Sequence, residues 1–338
     1  LDRSGVQDNM KRYSIGIDIG GTKCAVVLGQ AQIPEETTKG FILDRICFPT
    51  EAVKGPKFTI INIIQGVSRI IEKHQITKAE VIGIGISCGG PLDSTKGVIM
   101  NPPNLYGWDY IPIVKLIEDK FGIPTFIQND ANACAIAEWR FGAAKGYKDI
   151  IFLTFGTGMG AGLILDGKLY AGASNMAGEV GHIRFSENGP VGFGKSGSFE
   201  GFCSGEGIVQ LAKIKVLEKL QIGIRPSFCP DYKSLNKLSA KSIAIAAESG
   251  DVLARQIYAT SGHYLGYGLS MLIDILNPEI IVIGSIFTRN KDLIWPSAHK
   301  IIEKEALQTS RNHCRVVPAR LGDQIGDFAA LSVAFEGD

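Results

Sequence analysis

A chain of 338 residues, 45% hydrophobic and 20% charged, is long enough for two domains that each bury a core of their own. Its 35 basic and 34 acidic residues leave a formal net charge of +1, which offers no electrostatic footprint for nucleic acid or for an acidic membrane surface. The 7 cysteines are odd in number, scattered and free of any C-x-x-C pair, and so indicate thiols in a reducing cytoplasm rather than disulfides or a thiolate metal site.

No uninterrupted apolar run reaches membrane-spanning length, and the polar start Leu1 to Asn9 is unlike a signal peptide. Tyr13 to Gly20 (YSIGIDIG) and Lys23 to Gly29 (KCAVVLG) predict two strands joined by a tight turn, with Gly20 and Gly21 supplying the positive φ that short hairpins need. A plain hairpin is the simplest reading. Asp18 before the turn, Thr22 within it and Lys23 after it suggest more. Bare backbone N–H groups and a hydroxyl can meet phosphate oxygens, and a carboxylate can hold magnesium. Phe41 to Phe48 continues the sheet, Phe58 to Lys73 carries apolar residues at helical spacing, and Glu80 to Ser87 is a buried strand running into the sharp turn Cys88-Gly89-Gly90-Pro91. Asn101 to Pro112 (NPPNLYGWDYIP) is a long connection that lies over something. After a short helix, Val114 to Phe121, comes a strand from Pro124 to Ile127 and an alanine-rich helix from Ala131 to about Trp139. Asn129-Asp130 stands at their junction, where open α/β sheets present ligand-binding residues, although either residue could equally be a helix cap. The order of elements indicates α/β architecture.

The second half repeats the plan. Asp149 to Phe155, the turn Gly156-Thr157-Gly158 and Met159 to Leu165 again read as strand, glycine turn and strand. This is not a dinucleotide fingerprint, which would open a helix. Two similar hairpins suggest duplicated domains facing each other over a cleft. Ala177 to His182 (AGEVGH) and the glycine-rich loop Gly189 to Gly205 follow. Glu179 and His182 alone would read as a helix surface pair, but Gly178 and Gly181 make a poor helix. Helices are predicted over Glu206 to Leu220, Ser239 to Glu248 and Asp251 to Leu276, the last with Gly262, Gly266 and Gly268 allowing close packing. A buried strand, Ile280 to Ile283, ends at Gly284-Ser285, a third possible ligand turn. Helix Leu293 to Glu305, strand Val316 to Ala319 and helix Asp327 to Phe335 complete the chain, the last expected to pack back on the first domain.

From about Tyr13 to Phe335 the chain resembles the ROK family of sugar kinases and sugar-responsive repressors, within the larger group sharing the actin and hexokinase fold. The resemblance is carried by Asp18-Ile19-Gly20-Gly21-Thr22-Lys23, Asn129-Asp130-Ala131-Asn132, Gly156-Thr157-Gly158-Met159-Gly160 and Gly178-Glu179-Val180-Gly181-His182, in the family's order and spacing. It implies an α/β fold of two actin/hexokinase-like (ribonuclease H-like) domains with mixed sheets around a central cleft. The first domain would cover residues 10–128, joined by a returning segment from about 316 to 338, and the second residues 129–315. The activity implied is ATP-dependent phosphorylation of a hexose or N-acetylhexosamine hydroxyl, glucokinase-like, by a cytoplasmic homo-oligomer, usually a dimer. Asp130 would be the general base. Asn129, Glu179, His182 and Glu200 would hydrogen-bond the sugar, with Gly90 among the substrate-binding positions. Gly20, Gly21, Thr22 and Lys23, with Gly156, Thr157 and Gly158, would grip the ATP phosphates. Asp18 would help hold Mg2+, and Gly284 would border the adenosine.

The chain departs from the family pattern after His182. Where three cysteines commonly join that histidine around a structural zinc, Val191, Phe193 and Ser198 stand here, so no structural zinc is expected. Phe193, Phe199 and Phe202 are expected to pack the loop instead. The alternative function is a sugar-binding regulator or sensor without catalysis. The dozen residues before Tyr13 are too few for the helices of a helix-turn-helix domain, so a DNA-binding domain of its own is not expected.

Overall fold

Near-continuous runs of isoleucine and valine, interrupted by glycine, build two five-stranded sheets. The computed structural model describes residues 12–32 and 40–335; the polar start Leu1 to Asn9 and the reading drawn from it lie outside them. The chain divides into two units, one made of the residues up to Phe141 together with those from Gln324, the other of Gly142–Asp323. In chain order the first unit holds β1 (Tyr13–Ile19), β2 (Lys23–Gln30), β3 (Ile42–Pro49), α1 (Gly55–His74), β4 (Val81–Cys88), the short β5 (Leu92–Asp93) and β6 (Val98–Ile99), α2 (Ile113–Phe121), β7 (Thr125–Asn129) and α3 (Asp130–Phe141). The second holds β8 (Ile150–Leu153), β9 (Ala161–Leu165), β10 (Lys168–Leu169), β11 (Val191–Gly192), β12 (Lys195–Ser196), α4 (Phe199–Phe202), α5 (Gly205–Gln221), α6 (Ala240–Glu248), α7 (Val252–Leu276), β13 (Ile280–Ile283), α8 (Ile286–Glu305), α9 (Gln308–His313) and β14 (Arg315–Pro318). The chain then returns to the first unit as α10 (Ile325–Val333).

In the first unit the strand order is β3-β2-β1-β4-β7, antiparallel on the β3 side and parallel from β1 to β7. One face is covered by α1 and α2, whose Ile63, Val67, Ile70, Ile113 and Ile117 join Ile15, Ile17, Val26, Ile84 and Ile86 in one core. The other face carries Gly16, Gly83 and Gly85, and α10 lies directly on their backbone. A Cβ at Gly85 would stand 2.2 Å from the Ala330 carbonyl oxygen and one at Gly83 would stand 2.7 Å from that of Ala334. The edge strand β3 alternates half-buried and exposed residues, as a strand covered on one face does.

In the second unit the order is β10-β9-β8-β13-β14, with β8, β13 and β14 parallel. Helices α5, α6 and α7 start at side-chain caps: Ser204, Ser239 and Asp251 accept from Gly207, Ser242 and Ala254 N–H at 3.1, 3.1 and 2.9 Å. Helix α7 ends at Asn277, in left-handed conformation (φ 45°) before Pro278. Gly262 and Gly266 let α8 cross at backbone distance, a Cβ at Gly262 standing 2.3 Å from the Ile294 carbonyl oxygen.

Three differences from the sequence reading have physical causes. Helix α3 packs on α10, β4 and β7, so the division falls after Phe141 rather than at residue 128. Strand β14 pairs in parallel with β13, Ile280 opposite Arg315, so the returning segment starts at Gln324 rather than near 316. Helix α8 begins directly after Ser285, seven residues before Leu293, and absorbs a kink at Asn290, whose side chain donates to the Ile286 carbonyl at 3.1 Å.

Replacing Gly85 by alanine should push α10 off the sheet and cost about 2–3 kcal/mol, the scale of an overpacked core. The urea midpoint measures this. Gly89→Ala, where an added Cβ meets nothing within 4 Å, should stay within about 0.5 kcal/mol of the parent.

Candidate functional site

Strands β1, β4 and β7 lie side by side and run the same way, so their carboxyl ends share one edge. Asp18 is opposite Ser87, Ile19 opposite Cys88, and Cys88 opposite Asn129. That register gathers Asp18, Gly90 and Asn129-Asp130. A Cβ at Gly90 would lie 3.0 Å from Asn129 Nδ2, which explains the glycine there. Asp130 opens α3, and the Ala131 N–H donates to Asp130 Oδ1 at 2.8 Å and to Asn129 Oδ1 at 2.9 Å. Of the two cap readings Asn129 has the geometry, accepting from the second N–H of the helix, and the exposed Asp130 carboxylate sits at the positive end of that helix.

Half-buried Asp18 is not an ordinary carboxylate. Its pKa is pushed up to about 6, first by burial and then by the charges of Asp327 and Asp130, with Lys23 and Arg45 opposing. Asp327 arrives on α10. Gly326 before it is so close that a Cβ would stand 2.9 Å from Asp18 Oδ2. Arg45 Nε donates to both Asp327 oxygens, at 2.9 and 2.8 Å, across 282 residues of chain. Sequence reading missed Arg45 and Asp327 because no local pattern links an edge strand to the closing helix.

The turn after β1 corrects one expectation. Neither Gly20 nor Gly21 takes positive φ. They are glycines because of crowding: a Cβ at Gly20 would lie 2.8 Å from the Lys23 carbonyl oxygen, and one at Gly21 would lie 2.8 Å from Asn104 Cβ. What the connection 101–112 lies over is therefore this turn, and fully buried Trp108 anchors it, accepting from Asn101 N–H at 2.7 Å through its carbonyl. Thr50, also unforeseen, holds the turn from beneath, donating from its N–H to the Thr22 carbonyl at 3.0 Å and from its hydroxyl to the Gly20 carbonyl at 2.5 Å. Thr22 and Lys23 remain exposed.

In the second unit the corresponding turn is closed by Gly156 N–H donating to the Gly158 carbonyl at 3.1 Å, and Gly205 N–H donates to the Gly156 carbonyl at 2.8 Å. Thr157 is exposed at its tip. Glu200 reaches it from α4: the Met159 N–H donates to Glu200 Oε2 at 3.0 Å, and a Cβ at Gly158 would stand 2.7 Å from that oxygen. The 178–182 segment docks beside them. A Cβ at Gly181 would be 2.3 Å from the Met159 carbonyl oxygen, and Gly178 takes φ 91° against Ala161. Glu179 and His182 project from a single 3-10 turn, His182 Nε2 lying 3.8 Å from Glu179 Oε2. Gly284 N–H donates to the Leu153 carbonyl at 2.9 Å and Ile286 N–H to that of Phe155 at 2.9 Å, which brings the third turn against Gly156. Ser285 there holds φ 55°, ψ −114°, a strained conformation costing on the order of 1–3 kcal/mol. Nothing in the sequence marks that strain.

The first unit thus assembles Asp18, Gly20 to Lys23, Gly90, Asn129 and Asp130, and the second assembles Gly156 to Gly158, Glu179, His182, Glu200 and Gly284. Asp18 offers one carboxylate, which fits magnesium, an ion that keeps waters and substrate phosphates as its other ligands. Zinc does not fit the donor set: Val191, Phe193 and Ser198 offer no thiolate or imidazole. Ser198 instead caps α4, its hydroxyl accepting from Gly201 N–H at 3.1 Å. Phe199 and Phe202 are buried against Phe185 and Tyr264, but Phe193, expected to pack with them, is 68% exposed because it sits at a hairpin tip.

Two mixed sheets with this strand order, flanked by helices and closed into no barrel, are the fold shared by actin and hexokinase-like sugar kinases. The model of the ROK family matches residues 14–336, and the chain belongs to that family. It is 31% identical to a glucokinase of Halalkalibacterium halodurans over 317 residues, 93% of this chain and 92% of that one. It is 27% identical to a xylose repressor of Bacillus spizizenii, covering 96% of this chain and 77% of the repressor. Among solved structures, a ROK family glucokinase from Streptomyces griseus in complex with glucose and AMPPNP superposes with a TM-score of 0.73 at 28% identity, covering 94% of this chain and 98% of that one. Among the described residues no helix is long and apolar enough to cross a membrane.

The raised pKa of Asp18 has a measurable consequence. Its folded-state value near 6 lies above the unfolded value near 3.8, so the ionised carboxylate weakens the folded state. The associated stability is fully present below the unfolded value and lost as pH rises through 6. Asp18→Asn should therefore stabilise the metal-free protein at pH 8 by on the order of 1–2 kcal/mol and gain nothing at pH 3.5. Chemical denaturation at the two pH values reads the difference.

Proposed function

We propose that this protein catalyses ATP-dependent phosphorylation of a hexose or N-acetylhexosamine hydroxyl, with Asp130 as general base. The observation that carries the reading is the position of Asp130: an exposed carboxylate at the carboxyl end of β7, on the first turn of α3, beside half-buried Asp18. Phosphoryl transfer asks a protein mainly for positioning and charge stabilisation, plus one group that orients the attacking hydroxyl and takes its proton. Asp130 is that group. A sugar must have each of its other hydroxyls paired, since an unpaired buried one costs about 1–3 kcal/mol. Asn129, Glu179, His182 and Glu200 supply donors and acceptors of both kinds, and Gly90 leaves room for Asn129. The turn Gly20 to Lys23 and the turn Gly156 to Gly158 hold the phosphates of ATP, Gly284 borders the adenosine, and Asp18 holds magnesium. When bound, that ion screens charge on the phosphates. The glucokinase relatives support this reading.

A second reading, a sugar-binding regulator without catalysis, is favoured by the xylose repressors that align along 96% of this chain. The two are separated by measuring ADP release from Mg-ATP with a panel of hexoses and N-acetylhexosamines. The kinase should release ADP with at least one sugar, and Asp130→Asn should lower that turnover by about 10²-fold or more while sugar binding persists. Calorimetric binding of a sugar with no ADP release from any would establish the regulator instead.

A further inference from the structure

The hairpin of β11 and β12 breaks the usual turn chemistry at one residue. Gly192 pairs with Lys195, leaving Phe193-Gly194 as a two-residue loop. Both loop residues take positive φ, 43° and 74°. Such loops are built from Asn-Gly, Asp-Gly or Gly-Gly, because a bulky side chain is strained in the left-handed region. Here the first position is phenylalanine, and its ring is 68% exposed. Neither backbone preference nor burial accounts for it.

Its contacts do. The Phe193 ring meets the His182 ring edge-on, with centroids 5.0 Å apart and planes at 78°. Two residues on, Lys195 Nζ donates to the His182 carbonyl at 2.8 Å. One hairpin tip therefore holds both the ring and the backbone of a single residue. His182 needs such holding. Its N–H donates to the Glu179 carbonyl at 3.2 Å, which fixes the main chain, but Glu179 Oε2 at 3.8 Å from Nε2 is beyond hydrogen-bond range and leaves the ring torsion open.

We propose that Phe193 is a positioning residue: it fixes the ring of His182, with Lys195 fixing the backbone, so that one imidazole nitrogen is aimed at a substrate hydroxyl. The inference rests on the sugar-kinase reading for the identity of that hydroxyl, though the clamp itself does not. Phe193→Asn installs a residue the turn prefers, so the hairpin should keep or gain stability while the ring contact is lost. The chain has 5 histidines, and His182→Gln assigns the relevant imidazole signals by NMR.

In Phe193→Asn, without sugar or ATP, the His182 ring protons should move as the aromatic neighbour is removed. KM for the sugar should rise about tenfold, the scale of one hydrogen bond to a hydroxyl, with KM for ATP unchanged. Phe193→Tyr should restore both readouts. Unmoved His182 signals, or moved signals with an unchanged sugar KM, would overturn the proposal. If the parent protein phosphorylates no sugar, the proposed function fails, while the NMR arm still decides whether Phe193 clamps His182.

Discussion

The contact on which the first unit depends is one of backbone against backbone. Helix α10 rests on β1 and β4 with almost no side-chain layer between, because Gly16, Gly83 and Gly85 present no Cβ and the nearest atoms they would strike are main-chain atoms of residues 330–334. Around this seat Phe41, Phe141, Phe328 and Phe335 pack ring against ring, tying α3 and α10 together. The closeness sets the chemistry. It delivers Gly326 and Asp327 to Asp18, with Arg45 neutralising Asp327 from the other side. Burial first, and then the charges of Asp327 and Asp130, hold the proton of Asp18 up to a pH of about 6.

The second unit applies the same device around the carboxylate of Glu200. Gly158, Gly181 and Gly192 each stand where a Cβ would strike Glu200 or the backbone beside it, and Gly207 lies against the Gly201 carbonyl. Glycine is used here for approach more than for unusual φ. Glu200 is consequently fixed by packing and by the Met159 N–H. The loop around it closes through hydrogen bonds: Phe199 N–H donates to Ile183 at 2.7 Å, and Gly197 N–H to Pro190 at 2.9 Å. Those bonds and the Phe202–Tyr264 stack hold the segment together.

Much of this was legible in the sequence because the signals were local. Strand periods, glycine turns and the Asn129-Asp130 junction lie within a few residues of one another, and their elements form close to where the pattern puts them. What stayed hidden was non-local or conformational. The Arg45–Asp327 pair joins opposite ends of the chain, and the strain at Ser285 depends on how α8 meets β13. Gly20 and Gly21 were read for the wrong property, since a sequence shows that a side chain is missing but not whether torsion or crowding forbids it. Phe193 stands in the same loop as Phe199 and Phe202, so the sequence groups it with them as a packing residue. Its exposure follows from a hairpin only two residues long at the turn.

The seat of α10 also bears on how the protein is made. β1 to α3 are synthesised before the second unit, yet the helix that covers Gly16, Gly83 and Gly85 follows only after the whole of it. During that interval one face of the first sheet is bare glycine backbone and apolar strand, while the second unit, continuous in sequence, has all its parts and can fold first. Completion of the first unit waits on a contact of very high sequence separation, the kind that slows folding. Until α10 is made, the glycine face of the first sheet has no cover, and its strands are the part of the growing chain most in need of protection from aggregation.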